Sequence, residues 1–115
     1  MPVIHTHTNV NISDEQAARL KTIFGEAIAT VPGKSEQWLM CVFDGDKPIY
    51  HGGTAEPAAL LEVSVYARAD YDESVWEALT EQLTDAVSDV LGIDPARIYV
   101  KEGASAHFGW NGSNF

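Results

Sequence analysis

The first residues of the chain carry a group that could take part in chemistry. Pro2 follows the first methionine and opens the stretch PVIHTHT, whose alternating side chains predict a β-strand. Proline has no N–H for a β-ladder, so it is confined to the edges and first positions of strands. Pro2 therefore either only begins the strand or contributes its nitrogen to a reactive site.

Two histidines on the same predicted strand are a second candidate for chemistry. His5 and His7 are two residues apart, so they share one face of the strand, and a His-x-His pair can bind a metal ion. No third ligand is evident nearby in the sequence. We therefore predict no metal site.

Two amphipathic helices must position these residues. The first begins with a capping box formed by Ser13 and Gln16 and ends at Pro32 and Gly33. The second is capped by Asp72 and ends at a glycine. Apolar residues recur at three- and four-residue steps and predict one buried face on each helix: Leu20, Ile23, Phe24, Ala27, Ile28 and Val31 on the first, and Leu79, Leu83, Ala86, Val87 and Val90 on the second.

The helices and the strands that flank them repeat one pattern. The separation from Ser13 to Asp72 equals the separation from Gly33 to Gly92, and the flanking strands keep the same offset. This indicates two related β-α-β units, at about residues 2–43 and 61–102, in a single domain over residues 1–115. Because a helix joins parallel strands by a right-handed crossover, we predict an α+β fold of ferredoxin-like type, a four-stranded sheet with two helices on one face.

The other face of this sheet has no predicted cover. The segment WLMCVF is continuously apolar, and Leu60, Leu61, Val63 and Val65 lie close together, which is typical of strands buried on both faces. No residues remain for a second layer, so we expect this face to pack against another subunit. The glycine-rich tail is expected to form a hairpin that suits the same contact. The alternative is a monomer with a partly apolar open face.

Composition excludes several classes of partner. The 115 residues include 17 acidic and seven Lys or Arg side chains, for a net charge of −10 at pH 7. This charge argues against nucleic acid and against an anionic membrane surface as partners. The one cysteine, Cys41, cannot form a disulfide within the chain and is expected in the core. The sequence shows neither a signal peptide nor an apolar run of about 20 residues, so we expect a cytoplasmic protein, or one secreted without a signal peptide.

Several segments together resemble the macrophage migration inhibitory factor family of the tautomerase superfamily. They are Pro2 with THTNV, the GK at Gly33–Lys34, HGGTAEPAALLEVSVYA, GIDPARIYV and the tail FGWNGSNF, so the resemblance runs from residue 2 to residue 115. It implies the duplicated unit predicted above, assembled as a homotrimer whose sheets face inward.

The resemblance also implies an activity. The expected reaction is keto–enol tautomerisation of small aromatic α-keto acids, phenylpyruvate- or dopachrome-like, without a cofactor. Pro2 is expected to act as general base and acid once Met1 has been removed. An α-amino group ordinarily titrates at about 7.7–8.0, and burial in an apolar pocket disfavours the ammonium form. The base would then be free at neutral pH, where a catalytic base should titrate.

The remaining site residues follow from matching positions. Lys34 is expected to hold the substrate carboxylate or carbonyl oxygen, and Tyr66 to contribute its backbone N–H. Val3 lies beside the base and is expected to exclude water. Aromatic side chains, several from a neighbouring subunit, are expected to line the pocket: Trp38, Tyr99, Phe108 and Trp110.

Lys101 departs from the family pattern, because the best-known members carry a neutral amide there. Lys101 shares a strand face with Tyr99, so it either enters the pocket as a second cation or pairs at the surface with Glu102 or with a carboxylate of another subunit.

Two other functions remain open. One is a cytokine-like signal that binds a receptor protein and keeps only a vestigial pocket. The Cys-x-x-Cys of the mammalian cytokine is absent, with Ala58 and Leu61 at those positions, and the segment NVNISDEQAA after the first strand contains no arginine. These departures weigh against thiol–disulfide activity and against the mammalian receptor. The other is dehalogenation or hydration of unsaturated acids, which the scarcity of arginine disfavours.

Overall fold

The computed structural model describes residues 1–115 as a sheet, two helices and a small C-terminal hairpin. The elements in chain order are β1 (Pro2–Thr8), α1 (Asp14–Ala27), β2 (Met40–Asp44), β3 (Ala59–Tyr66), α2 (Glu73–Leu91), β4 (Ile98–Ser105), β5 (Gly109–Trp110) and β6 (Ser113–Asn114). Three short 3-10 helices lie at Ile28–Thr30, Glu36–Trp38 and Pro95–Arg97. None of the helices is both long and apolar enough to cross a membrane.

The main sheet has the strand order β2-β1-β3-β4. Strand β1 is parallel to β2, β3 is parallel to β4, and the two central strands β1 and β3 are antiparallel, with Pro2 opposite Val65 and Ile4 opposite Val63. Each parallel pair is connected through one helix, and α1 and α2 pack against each other. The predicted α+β fold with two β-α-β units is confirmed.

The helix ends behave as their residue types dictate. Ser13 Oγ accepts from the N–H of Gln16 at 3.1 Å, and the Gln16 side chain accepts from the N–H of Ser13 at 2.9 Å, so the capping box is complete. Asp72 accepts from the N–H of Ser74 at the start of α2. Gly92 has a φ of 69°, a left-handed conformation that glycine adopts without a Cβ clash, and α2 ends there.

Some boundaries differ from the prediction. Helix α1 ends at Ala27 and continues as a 3-10 turn, so the predicted helix up to Val31 is tighter in its last turn. Strand β2 begins at Met40 rather than Trp38, because Trp38 closes the preceding 3-10 helix. An apolar run alone does not distinguish these conformations.

The hydrophobic core lies between the sheet and the two helices. Its members come from both β-α-β units, so each unit buries its apolar face against the other. The largest fully buried side chains are Ile4, Leu20, Phe24, Ile28, Val31, Leu61, Val65, Leu79, Leu83, Val87 and Ile93.

The open face of the sheet, opposite the helices, is only partly the apolar surface that the strand pattern predicted, because Val3, Val42 and Leu60 share it with polar side chains. Strands β1 and β3 alternate buried and half-buried residues, and the half-buried set includes His5, His7 and Glu62. Asp44 of β2 joins them, since it is in register with His7. The prediction of an apolar face is therefore wrong in the centre of the sheet. The buried strand residues face the helices alone.

Candidate active site

Pro2 begins a central strand rather than an edge strand. It is buried, and Val65 of β3 lies opposite it, whereas β2 begins one residue later, with Met40 opposite Val3. The missing N–H of Pro2 is tolerated because the position is the first of the strand. The residue before it still joins the ladder, since the carbonyl of Met1 accepts from the N–H of Tyr66 at 2.9 Å.

A cavity of about 350 Å³ opens beside Pro2. Val3, Trp38, Phe108 and Trp110 line it together with Pro2, and the rest of the wall comes from Met1, Gln37, Leu39, Met40 and Gly109. Four of the predicted pocket residues, Val3, Trp38, Phe108 and Trp110, are thus brought to Pro2 within one subunit. The rings of Trp38 and Trp110 meet edge to face, with their centroids 5.6 Å apart.

A second cavity of about 330 Å³ shares residues with the first and adds Tyr66 and Phe115. The ring centroids of these two residues are 5.1 Å apart. The tail reaches this position because β5 and β6 form a hairpin whose turn holds Asn111 and Gly112 at positive φ. The sequence predicts a subunit contact for the tail and pocket positions for Phe108 and Trp110, but it does not predict Phe115 as a lining residue. Its signal was an aromatic residue at the end of a tail that had already been matched to the family.

Lys34 is held beside the same end of the sheet. Its Nζ donates to the carbonyl oxygen of Tyr66 at 2.6 Å and lies 5.7 Å from the centroid of the Tyr66 ring. An ammonium group has three N–H donors, so Lys34 can bind a further acceptor while it keeps this contact. Gly33, with a φ of 79°, turns the chain after the first helical segment and so presents Lys34.

The electrostatics at this end of β1 favour an uncharged amine. Burial, and after it the positive charge of Lys34, lower the pKa of the Met1 amino group from its ordinary value. Burial disfavours the ammonium form of this group, and a neighbouring cation repels it.

Tyr99 and Lys101 do not approach Pro2 within one subunit. Tyr99 is opposite Leu60 on β3, five positions from Val65, which places it about 16 Å along the sheet from the Pro2 end. Its hydroxyl lies 3.2 Å from Nε2 of His51, and its side chain is largely exposed. These two residues can line a pocket at Pro2 only if they belong to a neighbouring subunit.

The predicted alternative of a Lys101–Glu102 pair is wrong. Glu102 points to the helix side of β4, where its Oε1 accepts from Thr80 Oγ1 at 2.6 Å. Consecutive strand residues point to opposite faces, and no carboxylate lies within 4.0 Å of the Lys101 ammonium. Glu102, predicted from the sequence only as a partner for Lys101, has a second buried oxygen without a partner, and burial raises its pKa.

His5 and His7 are paired with carboxylates of neighbouring strands. His5 Nε2 lies 2.6 Å from Oδ2 of Asp44, and His7 Nε2 lies 2.9 Å from Oε1 of Glu62. The hydrogen bond with His5 is the main cause that lowers the pKa of Asp44. The statement that no third ligand lies near the two histidines is therefore wrong, because the pairing of β1 with β2 brings Asp44 beside them.

A larger cavity of about 460 Å³ lies elsewhere, between α1 and β2, and Lys21, Glu36 and Cys41 are among its lining residues. Cys41 is half-buried against the core, and burial raises the pKa of its thiol to about 11. A thiol with this pKa is almost fully protonated at neutral pH and is a weak nucleophile. Cys41 therefore gives this cavity no activated thiol nucleophile.

Two β-α-β units that form one sheet, with a proline in an aromatic cavity at the start of a central strand, define a fold of the tautomerase superfamily. The profile of the family described as Macrophage migration inhibitory factor (MIF) matches residues 1–115, and the chain belongs to this family.

Solved structures agree with this assignment. Leishmania major MIF2 is 32% identical with a TM-score of 0.91, and the match covers 100% of this chain and 97% of that one. The MIF homologue of Prochlorococcus marinus is 25% identical with a TM-score of 0.80, over 98% of both chains. MIF from Toxoplasma gondii, at 19% identity and a TM-score of 0.85 over 98% of this chain and 99% of that one, shares the fold.

Proposed function

We propose that this chain is a keto–enol tautomerase of small aromatic α-keto acids, phenylpyruvate- or dopachrome-like, and that Pro2 is its general base and acid after Met1 has been removed. The observation that carries the proposal is the cavity at Pro2, which combines the proline with apolar and aromatic walls. Lys34 is anchored at the same end of the sheet through the Tyr66 carbonyl.

Pro2 provides the proton transfer. In the enol-to-keto direction the enol hydroxyl loses a proton and the neighbouring carbon gains one, so no atom is gained or lost overall. A secondary amine that is uncharged at neutral pH can accept the first proton and deliver the second. Burial and the charge of Lys34, which lower the pKa of the Met1 amine, support an uncharged amine at Pro2.

Lys34 and Tyr66 orient the substrate in this proposal. The Lys34 ammonium binds the carboxylate or the carbonyl oxygen. Because the chain has a net charge of −10 and repels anions, this local positive charge favours binding of an anionic substrate. The backbone N–H of Tyr66, released from Met1, becomes a donor for the same oxygen atoms. Trp38, Phe108 and Trp110 contact the aromatic ring of the substrate, and Val3 keeps water from the base.

The pocket is completed by assembly. We propose that residues 1–115 form one domain and that three copies associate through their open faces. Tyr99 and Lys101 of one copy would then reach the Pro2 cavity of the next. Their distance from Pro2 within the subunit and the exposure of Tyr99 and Met40 support this arrangement.

An enol–keto assay with phenylpyruvate tests the proposal. The wild-type chain, with loss of Met1 verified by mass spectrometry, is compared with Pro2→Gly and with Val10→Ala as a matched control outside the cavity. We expect Pro2→Gly to lose roughly 10²–10⁴-fold in kcat/KM and the control to retain activity. Equal activity of the Pro2 variant and the wild type would reject Pro2 as the base.

A further inference from the structure

Four polar side chains from three strands meet at the centre of the open face. His5 and His7 come from β1, Asp44 from β2 and Glu62 from β3. The contacts are diagonal: His5 reaches Asp44, which is in register with His7, and His7 reaches Glu62, which is in register with His5. The two imidazole rings stack with their centroids 3.9 Å apart. This arrangement places two nitrogen donors and a carboxylate in a compact group.

The distances within the group suit a small divalent ion. One ligand atom each from His5, His7 and Asp44 lie within 4.8 Å of one another. A tetrahedral zinc site has metal–ligand distances of about 2.0–2.2 Å, so its ligand atoms are roughly 3.4 Å apart. His5 Nε2 and Asp44 Oδ2, now 2.6 Å apart, need to separate by less than about 1 Å to admit the ion. Side-chain rotation is sufficient for this movement, since all three side chains are only partly buried.

We propose that His5, His7 and Asp44 form a binding site for a divalent transition-metal ion, and that Zn²⁺ is the preferred ion. Two imidazoles and one carboxylate favour zinc over magnesium or calcium, which prefer oxygen ligands. Water fills the fourth position, as in sites that have three protein ligands. Glu62, released from His7, accepts a hydrogen bond from this water or adds negative charge beside the ion.

The site is distinct from the proposed tautomerase pocket. His5 is three residues from Pro2 along β1, a distance of about 10 Å, and its side chain is on the open face and not among the residues that line the Pro2 cavity. This site neither uses nor requires the proposed reaction. It adds an ion-binding function to the face of the sheet that is expected to lie between subunits.

The same contacts can also be explained without a metal ion. Each histidine has one carboxylate partner, so the four groups are satisfied as two cross-strand hydrogen bonds without a metal. Lys47 Nζ, 4.0 Å from Asp44 Oδ1, competes for the same carboxylate. The two interpretations differ in one measurable property, which is saturable binding of a metal ion that depends on both histidines.

Metal titration of the full, untagged chain distinguishes them. The protein is stripped with a chelator and titrated with Zn²⁺ by calorimetry, and with Co²⁺ by visible absorption. We expect one ion per chain with a Kd of about 10 µM or tighter, and a strong visible Co²⁺ spectrum typical of tetrahedral coordination. His5→Gln, His7→Gln and Asp44→Asn are each expected to weaken binding roughly tenfold or more, whereas His107→Gln, in the exposed tail, is the matched control and should bind as the wild type does.

A second measurement keeps the test decisive if a variant does not fold. In NMR spectra of the wild-type chain, Zn²⁺ should shift the imidazole signals of His5 and His7 and leave those of His51 and His107 in place. Absence of saturable binding, equal binding by His5→Gln and the wild type, or shifts confined to His51 and His107 would each overturn the proposal.

Discussion

The carbonyl oxygen of Met1 accepts a hydrogen bond from the backbone N–H of Tyr66 at 2.9 Å. This N–H is the group that the family resemblance assigns to the substrate. Met1 therefore blocks two groups: its carbonyl carbon is bonded to the Pro2 nitrogen, and its carbonyl oxygen accepts the hydrogen bond of the Tyr66 N–H. Removal of one residue would release both groups, which makes the first processing step of the chain a condition for the proposed activity.

Retention of Met1 is expected to abolish tautomerase activity. The nitrogen of an acylated Pro2 is a tertiary amide, which does not accept a proton at neutral pH, and the Tyr66 N–H stays bonded to the Met1 carbonyl. The measurement compares one preparation that carries an N-terminal extension with the same protein after cleavage to Pro2, both verified by mass spectrometry. Wild-type turnover by the extended protein would remove Pro2 from the mechanism.

Substitution of Lys34 is expected to weaken substrate binding. Lys34→Ala removes a charged hydrogen-bond donor, so KM for phenylpyruvate should rise about 10–100-fold, in line with about 1.5–3 kcal/mol for a hydrogen bond to a charged group. Lys21→Ala serves as the control, because Lys21 is an exposed lysine on α1 that does not line the Pro2 cavity. An unchanged KM for Lys34→Ala would mean that Lys34 only anchors the Tyr66 carbonyl.

Lys101 tests whether a second cation enters the pocket from a neighbouring subunit. Lys101→Met keeps most of the bulk and removes the charge. If the ammonium faces Pro2 of the next copy, its loss should reduce activity on keto acids and raise the pKa of Pro2 in the pH–rate profile, since a like charge no longer opposes protonation. Lys47→Met is the control, because Lys47 is exposed in the loop after β2, and β2 is the edge strand on the other side of the sheet from β4. An unchanged rate and profile would assign Lys101 to the surface.

The assembly itself is open to a direct measurement. We expect light scattering at micromolar concentration to give three times the mass of the 12.5 kDa chain. A stable monomer would contradict the proposal, because Tyr99 and Lys101 could then reach no Pro2 cavity.

Glu102 is expected to make the stability of the fold depend on pH. Burial raises its pKa above the ordinary value of 4.5, so the folded chain holds this proton more tightly than the unfolded chain does. The stabilisation is fully present below the unfolded pKa and is lost as the pH rises through the folded pKa. Relative to Glu102→Gln, the wild type should therefore lose stability as the pH rises from about 4 towards 7.

Thermal unfolding of both proteins across this pH range provides the measurement for Glu102. The glutamine variant keeps an acceptor for Thr80 and should unfold at a higher temperature than the wild type at neutral pH. Glu81→Gln, on the exposed side of α2, is the control and should show no comparable pH-dependent difference. A constant difference between wild type and Glu102→Gln at every pH would contradict a raised pKa.

The sequence by itself determined the local elements and their duplication. Capping by Ser13 and Asp72 and the left-handed end at Gly92 depend on side chains within a few residues of each other, so they can be read along the chain. The repeated spacing then predicted two β-α-β units, and the family resemblance directed attention to Pro2, Lys34 and Trp38. The structure places all three at one end of the sheet.

Only the tertiary structure decided which distant residues meet. Asp44 lies beside His5 because β2 pairs with β1 in one register, and Glu102 meets Thr80 because α2 packs over β4. Phe115 reaches Tyr66 because the tail folds back as a hairpin. Strand register and helix packing are set by the whole core, since a shift of one residue would turn every side chain of a strand to the opposite face. A local sequence pattern does not specify that register. The polar centre of the open face could therefore not be predicted from the sequence alone.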